Sequence, residues 1–132
     1  MSTEARMRLV YIAGPFRAKS QYIAGHQDMF AVQENIMRAM KLGLDVARTP
    51  GAFPVIPHAN TMFFTAAAPD SVWLDGDLEV LRRCDAILMT PDWQLSSGAR
   101  AEHEFAILHG IPVFYSIEAV RVWVRSVAAV PV

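Results

Sequence analysis

Four short apolar runs, each closed by turn residues and separated from the next by a stretch of helical length, constrain this chain more than any other feature. Leu9-Val10-Tyr11-Ile12-Ala13 stops at Gly14-Pro15, and Phe53-Pro54-Val55-Ile56-Pro57 stops at His58. Ala86-Ile87-Leu88-Met89 stops at Thr90-Pro91, and Pro112-Val113-Phe114-Tyr115 stops at Ser116. Runs that are apolar at every position, not at alternate ones, read as strands covered on both faces. The intervening segments have the period of helices. Gln33 to Val46 lines Ile36, Met40, Leu44 and Ala47 along one face. Val72 to Arg83 turns Leu74, Leu78 and Leu81 inward, and Ala101 to Leu108 forms a helix that Gly110 ends. Ser116 caps a last helix running to about Val127. His58 to Ser71 reads as a loop, and the prolines of the second run suit an edge strand. Alternation of this kind predicts an α/β three-layer sandwich with a mainly parallel sheet of four to five strands.

The 132 residues predict a single domain over 1–132, with 1–7 flexible. The chain is 53% hydrophobic and 19% charged, a composition that argues against a disordered chain. An apolar share this high in so short a chain points to a doubly covered core and to an interface between copies. The valines of the last helix (Val120, Val122, Val124 and Val127) are the candidates for a homodimer or higher homo-oligomer. The formal net charge is -1, from 12 basic and 13 acidic residues, and no run of Lys or Arg marks a nucleic-acid polymer as partner. No apolar run reaches the roughly 18 residues of a membrane span. One cysteine, Cys84, and no secretory leader predict a cytoplasmic location.

In a parallel α/β sheet the ligand sits at the carboxyl ends of the strands. That rule selects Gly14-Pro15-Phe16-Arg17, Pro57-His58-Ala59-Asn60, Thr90 to Glu102, and Tyr115-Ser116. Familiar motifs are missing from these clusters. There is no G-x-x-x-x-G-K-[ST] loop, no dinucleotide glycine fingerprint after Gly14, and no G-x-S-x-G elbow. His103-Glu104 would need a second histidine at Ile107 to bind zinc. His109 lies roughly 240° round the helix from His103. Neither a metal nor an organic cofactor is expected. Cys84, at the far end of the sheet, reads as a structural thiol.

What remains is Tyr11-Ile12-Ala13-Gly14-Pro15-Phe16-Arg17, then Asp77-Leu78-Glu79-Val80-Leu81-Arg82-Arg83-Cys84-Asp85, then Ser96-Ser97-Gly98-Ala99-Arg100-Ala101-Glu102. In this order the three motifs resemble the nucleoside 2-deoxyribosyltransferase-like superfamily. That group includes base-exchanging transferases, 2′-deoxynucleoside 5′-monophosphate N-glycosidases, and small domains that open with YIAGP. The resemblance runs from about Leu9 to Tyr115. It implies a Rossmann-like or flavodoxin-like fold and a nucleoside or nucleotide as the small-molecule partner. It makes Glu102 the nucleophile and puts Asp77 in the active site beside it. It gives Gly14 to Arg17 and Ser96 to the nucleotide and its 5′-phosphate. Where the glycosidases carry Gly-Ser-x-Arg, this chain has Gly14-Pro15-Phe16-Arg17, so a hydroxyl and an N–H are gone from that turn. Residues 18–32 are extra length, and Tyr22, Gly25 and His26 have no counterpart.

The chemistry suits these residue types. Breaking an N-glycosidic bond builds positive charge on the anomeric carbon, which a carboxylate can stabilise or attack. Glu102, in the first turn or so of its helix, would be kept ionised by the positive dipole end. A phosphate would gain from the same helix end through Ser97, Gly98 and backbone N–H groups, with Arg17 as a charged partner. Gly98 lets the backbone come close to a ligand. Phe16 and Trp93 can stack on a base or pack. Asp92 can hold a sugar hydroxyl or cap its turn, and Asp77 can orient the sugar or protonate the departing base. His58 ends a strand on the ligand side. Transfer of the sugar to water would make a hydrolase, and to a second base a transferase. A nucleotide-binding module that has lost turnover is the third possibility.

Overall fold

The computed structural model describes residues 6–16, 28–64 and 67–129. Strands β1 (Arg8–Ala13), β2 (Ala52–Val55), β3 (Ala86–Met89) and β4 (Val113–Phe114) form one sheet in the order β2-β1-β3-β4. All three pairings are parallel. Helices α1 (Met29–Ala47), α2 (Pro57–Asn60), α3 (Asp70–Arg82), α4 (Ser97–Leu108) and α5 (Ile117–Ala129) complete the described chain, with a 3-10 turn at Trp93–Leu95. This is the flavodoxin-like arrangement. The chain leaves β1 for one edge and returns to pair β3 on the other side, which opens a crevice beyond the carboxyl ends of β1 and β3. No described helix is long and apolar enough to cross a membrane.

Alternation along the strands divides the core in two. Val10, Ile12, Ala86 and Leu88 pack with Ala39 and Val46 of α1 and Val120 and Val124 of α5. Tyr11, Ala13, Ile87 and Met89 point the other way, onto Leu81 of α3 and Ala99 and Ala106 of α4. Two of the four valines expected to meet a partner are therefore core residues; Val122 is the exposed one.

β3 has the expected bounds, and β2 with its Pro54 is an edge strand as expected. The helices start earlier than periodicity alone suggested, because caps set their beginnings. Asp28 accepts from the N–H groups of Phe30 (3.0 Å) and Ala31 (3.3 Å), so α1 begins four residues before Gln33. Ser96 Oγ accepts from Ala99 N–H at 3.1 Å, so α4 begins at Ser97, not Ala101. Ser116 caps α5 as expected, accepting from Ala119 N–H at 3.2 Å. Part of the expected loop at 58–71 is helical: Pro57 starts α2 and Asp70 starts α3.

The face that α1 turns inward is a correction. Val32, Ala39, Gly43 and Val46 are buried, while Met40, Leu44 and Ala47 are exposed and Ile36 is half-buried. Volume decided between two apolar stripes. A Cβ on Gly43 would lie 2.3 Å from Ile56 Cδ1, so the small residues of α1 admit the close approach to the β2 edge.

Candidate active site

The site begins where β1 ends. Thr90 N–H bonds to Ala13 O at 2.8 Å and seats the Thr90 side chain against Gly14. A Cβ at Gly14 would lie 2.3 Å from Thr90 Oγ1 and 2.6 Å from Cγ2, so this turn requires glycine. His58, buried at the start of α2, holds the same turn from the other side. Its Nε2 lies 3.0 Å from Gly14 O and 2.9 Å from Pro15 O. Both partners are carbonyls, so Nε2 carries the proton. Burial lowers the pKa of His58 and keeps the ring neutral. Nδ1 is then a buried acceptor without a partner among the described residues.

Beyond this turn a cavity of about 790 Å³ opens between α2, α3 and the start of α4. That is within the usual range for small-molecule sites. Gly14, Phe16 and His58 line one side, Trp73, Leu74 and Asp77 of α3 another, and Leu95 to Ala99 with Glu102 a third. Ser96 Oγ is committed to its cap, whereas Ser97 and Gly98 occupy the first turn of α4, where N–H groups have no intrahelical partner.

At the back of the cavity is an acid cluster. Glu102 is 7% exposed. The hydroxyl of Tyr11, fully buried in the middle of β1, donates a hydrogen bond to Glu102 Oε2. Burial pushes the Glu102 carboxyl up to about 8; the charge of Asp77 adds to this and the Tyr11 bond opposes it. Burial also pushes Asp77 up to about 6. Burial, then the charges of Glu102 and Asp77, hold the Tyr11 phenol well above its usual pKa, so it remains a donor. The expectation that a helix end keeps Glu102 ionised is therefore corrected. Glu102 is the sixth residue of α4, past the turn in which the dipole acts, and desolvation prevails.

Of the expected site residues, Gly14, Phe16, His58, Asp77, Ser96, Ser97, Gly98 and Glu102 meet at this cavity. Pro15 contributes its carbonyl to His58 and does not line the cavity. Arg17 lies outside the described residues, as do Tyr22, Gly25 and His26. Asp92 and Trp93 lie off the cavity. Asp92 Oδ1 accepts from Thr90 Oγ1 at 2.8 Å, and its other oxygen is 3.5 Å from Arg38 Nη2; its side chain makes no cap bond to the 3-10 turn that follows. Trp93 stacks on His103 with centroids 4.2 Å apart, and His103 Nε2 lies 2.7 Å from Tyr115 Oη. The aromatic walls of the cavity are instead Phe16 and Trp73, the latter against Phe64 at 5.7 Å between centroids. Tyr11 escaped the sequence reading. Its signal was a phenol in a strand otherwise aliphatic and covered on both faces, because a buried hydroxyl needs a partner. Among the described residues no group of three or more His, Cys, Asp or Glu is placed to hold a metal ion.

A family model described as "Domain of unknown function (DUF4406)" matches residues 8–115. The match runs from β1 to just past β4 and takes in every element that lines the cavity. No curated protein matches the chain.

Proposed function

The chain belongs to the DUF4406 family, and from its cavity we propose that it hydrolyses the N-glycosidic bond of a nucleoside 5′-monophosphate with Glu102 as nucleophile. The observation that carries the proposal is the pair of carboxyls, Asp77 and Glu102, facing one cavity of about 790 Å³ with carboxyl pKa values of about 6 and about 8. Between those values the pair holds one proton. That is the charge state the reaction needs: one oxygen free to attack and one acid to give. In the free protein the higher pKa puts that proton on Glu102; a substrate whose anomeric carbon becomes positive draws the negative charge to Glu102 as this proton passes to Asp77, and the Tyr11 hydroxyl supports the carboxylate so formed. Glu102 then bonds to the anomeric carbon as the carbon–nitrogen bond breaks, and the base leaves with the proton of Asp77. Water cleaves the resulting ester, giving its proton back to Asp77 and its oxygen to the sugar. Phe16 and Trp73 supply apolar walls for the base, and the first turn of α4 supplies N–H groups for the phosphate. The resemblance to the nucleoside 2-deoxyribosyltransferase-like superfamily gives Glu102 the same role. A nucleotide substrate places the reaction in the cytoplasm.

A second reading has one observation in its favour. The described lining carries Asp70, Asp77 and Glu102, and no Lys or Arg. That charge favours a neutral nucleoside, handled by hydrolysis or by base exchange, and leaves the phosphate to Arg17. The test is base release, followed by chromatography, from a panel of ribo- and deoxynucleosides and their 5′-monophosphates, with Glu102→Ala alongside. Free base from a monophosphate, lost in the variant, is the expected result. Release from nucleosides alone moves the substrate class, and release that requires an added acceptor base makes the protein a transferase. Binding without release, even with an acceptor base present, makes it a nucleotide-binding module and overturns the enzymatic reading.

A further inference from the structure

Helix α1 carries a second apolar stripe that is exposed among the described residues. Phe30, Met37 and Leu44 recur every seven residues and are 81%, 53% and 48% exposed. Met40, 39% exposed, lies between the last two on the same face. At 100° per residue this stripe points well away from Val32, Ala39, Gly43 and Val46, the residues that α1 buries in the core. A seven-residue spacing of apolar side chains on an exposed helix is the seam of a helix pair. Exposed apolar residues scattered singly need no explanation, but four in register over two heptads do.

The charges beside the stripe say what covers it. Glu34 and Lys41 are both exposed and lie on one flank, one heptad apart. They are roughly 10 Å apart along the helix axis and cannot pair with each other within one chain. Arg38, one turn beyond Glu34, is directed to Asn35 Oδ1 at 2.6 Å and to Asp92. The opposite flank is apolar, with Met29 and Ile36. A parallel pair of these helices would set the charged flank of one against the apolar flank of the other. An antiparallel pair related by a two-fold axis sets the charged flanks together. Glu34 then meets Lys41 of the partner subunit, twice by symmetry, while Met37 packs on Met40 of the partner subunit. We infer that the chain forms a homodimer through an antiparallel contact of its two α1 helices. The contact is one helix wide, at the small end of stable interfaces, so the dimer is expected to dissociate on dilution.

The inference stands apart from the proposed activity, since none of these side chains lines the cavity. Sedimentation of the full chain over a concentration series tests it. Wild type is expected to pass from monomer to dimer across the series, and Met37→Glu to remain monomeric. Because Met37 is exposed, the variant keeps its far-ultraviolet dichroism and melting temperature; Phe30→Gln is the second variant should it fail to fold. Glu34→Lys and Lys41→Glu each weaken the dimer by about tenfold by setting like charges together. The double exchange Glu34→Lys with Lys41→Glu restores it. A wild type that stays monomeric overturns the inference and gives the stripe to a partner of another kind. A dimer indifferent to Met37→Glu, or singles not rescued by the double exchange, places the contact elsewhere and overturns it equally.

Discussion

The two faces of the sheet are built from the same strands, residue by alternate residue, and bury different things. Toward α1 and α5 the buried cluster is aliphatic throughout. Toward α3 and α4 the same strands supply a phenol, the opposing helix a carboxyl, and α3 a second carboxyl nearby. Ile12 and Tyr11 are neighbours on β1, both fully buried, and they fall on opposite sides of this divide. A fold needs the first kind of face. The second kind works against stability, because a buried carboxyl must either keep its proton or carry an unsolvated charge. The α3/α4 side retains its acids at that cost, and this is the face on which the proposed activity rests.

Substitutions can break this contrast. The largest effect belongs to Glu102→Gln, which keeps an acceptor for Tyr11 and removes the proposed nucleophile. Base release is expected to fall by a factor on the order of 10⁴, while the melting temperature at pH 8 holds or rises. A fall in both would make Glu102 a structural residue. On the other face, Ile12→Ala is expected to cost about 2–5 kcal/mol in urea unfolding through the cavity it leaves. Tyr11→Phe, one residue away, is expected to cost only about 1 kcal/mol but to move the basic limb of the pH–rate profile upward, since the Tyr11 bond holds the Glu102 pKa down. Equal losses of stability from the two would erase the distinction.

The pH dependence of folding sharpens the same comparison. Glu102 has a folded pKa of about 8 against an ordinary 4.5. The folded state therefore binds more protons than the unfolded chain between those values. The contribution of Glu102 to stability is full below pH 4.5 and is lost as the pH rises through about 8. Asp77, raised from 3.8 to about 6, acts in the same direction over a lower window. Denaturant unfolding at pH 5, 6.5 and 8 is expected to show stability falling with pH, and Glu102→Gln to flatten the slope. An unchanged slope in the variant would show that other groups set it. The smallest effect is the most discriminating. Among the described residues a Cβ at Gly98 would meet only Ser96 Oγ, at 3.8 Å. The fold has room for alanine there, and Gly98→Ala is expected to stabilise by roughly 0.5 kcal/mol. A ligand seated on the first turn of α4 would lose affinity, so tighter folding with weaker binding is the result to look for in calorimetry.

Legibility differed from element to element for physical reasons. β3 was readable to the residue because four consecutive apolar side chains between Asp85 and Thr90 admit no other register. The beginnings of α1 and α4 were read late, because Asp28 and Ser96 extend each helix into residues that carry no apolar period. In the candidate site, Gly14, Asp77, Ser96 and Glu102 could be named from motif and strand end. Trp93 could not be placed, because an indole beside a site packs or stacks according to its neighbours. Here His103, the residue after Glu102, took that ring.

The order of apolar runs and helical periods was enough, without coordinates, to determine a parallel, doubly covered sheet and to send the polar motifs to its carboxyl end. Those are consequences of period and burial, which are local properties of a chain. Tertiary structure alone decided which of two apolar stripes α1 would bury, since the choice turned on the space between Gly43 and Ile56. It alone joined Tyr11 to Glu102 across 91 positions of sequence and set the proton affinity of that carboxyl. Desolvation depends on everything that surrounds a group, and no stretch of sequence contains its own surroundings.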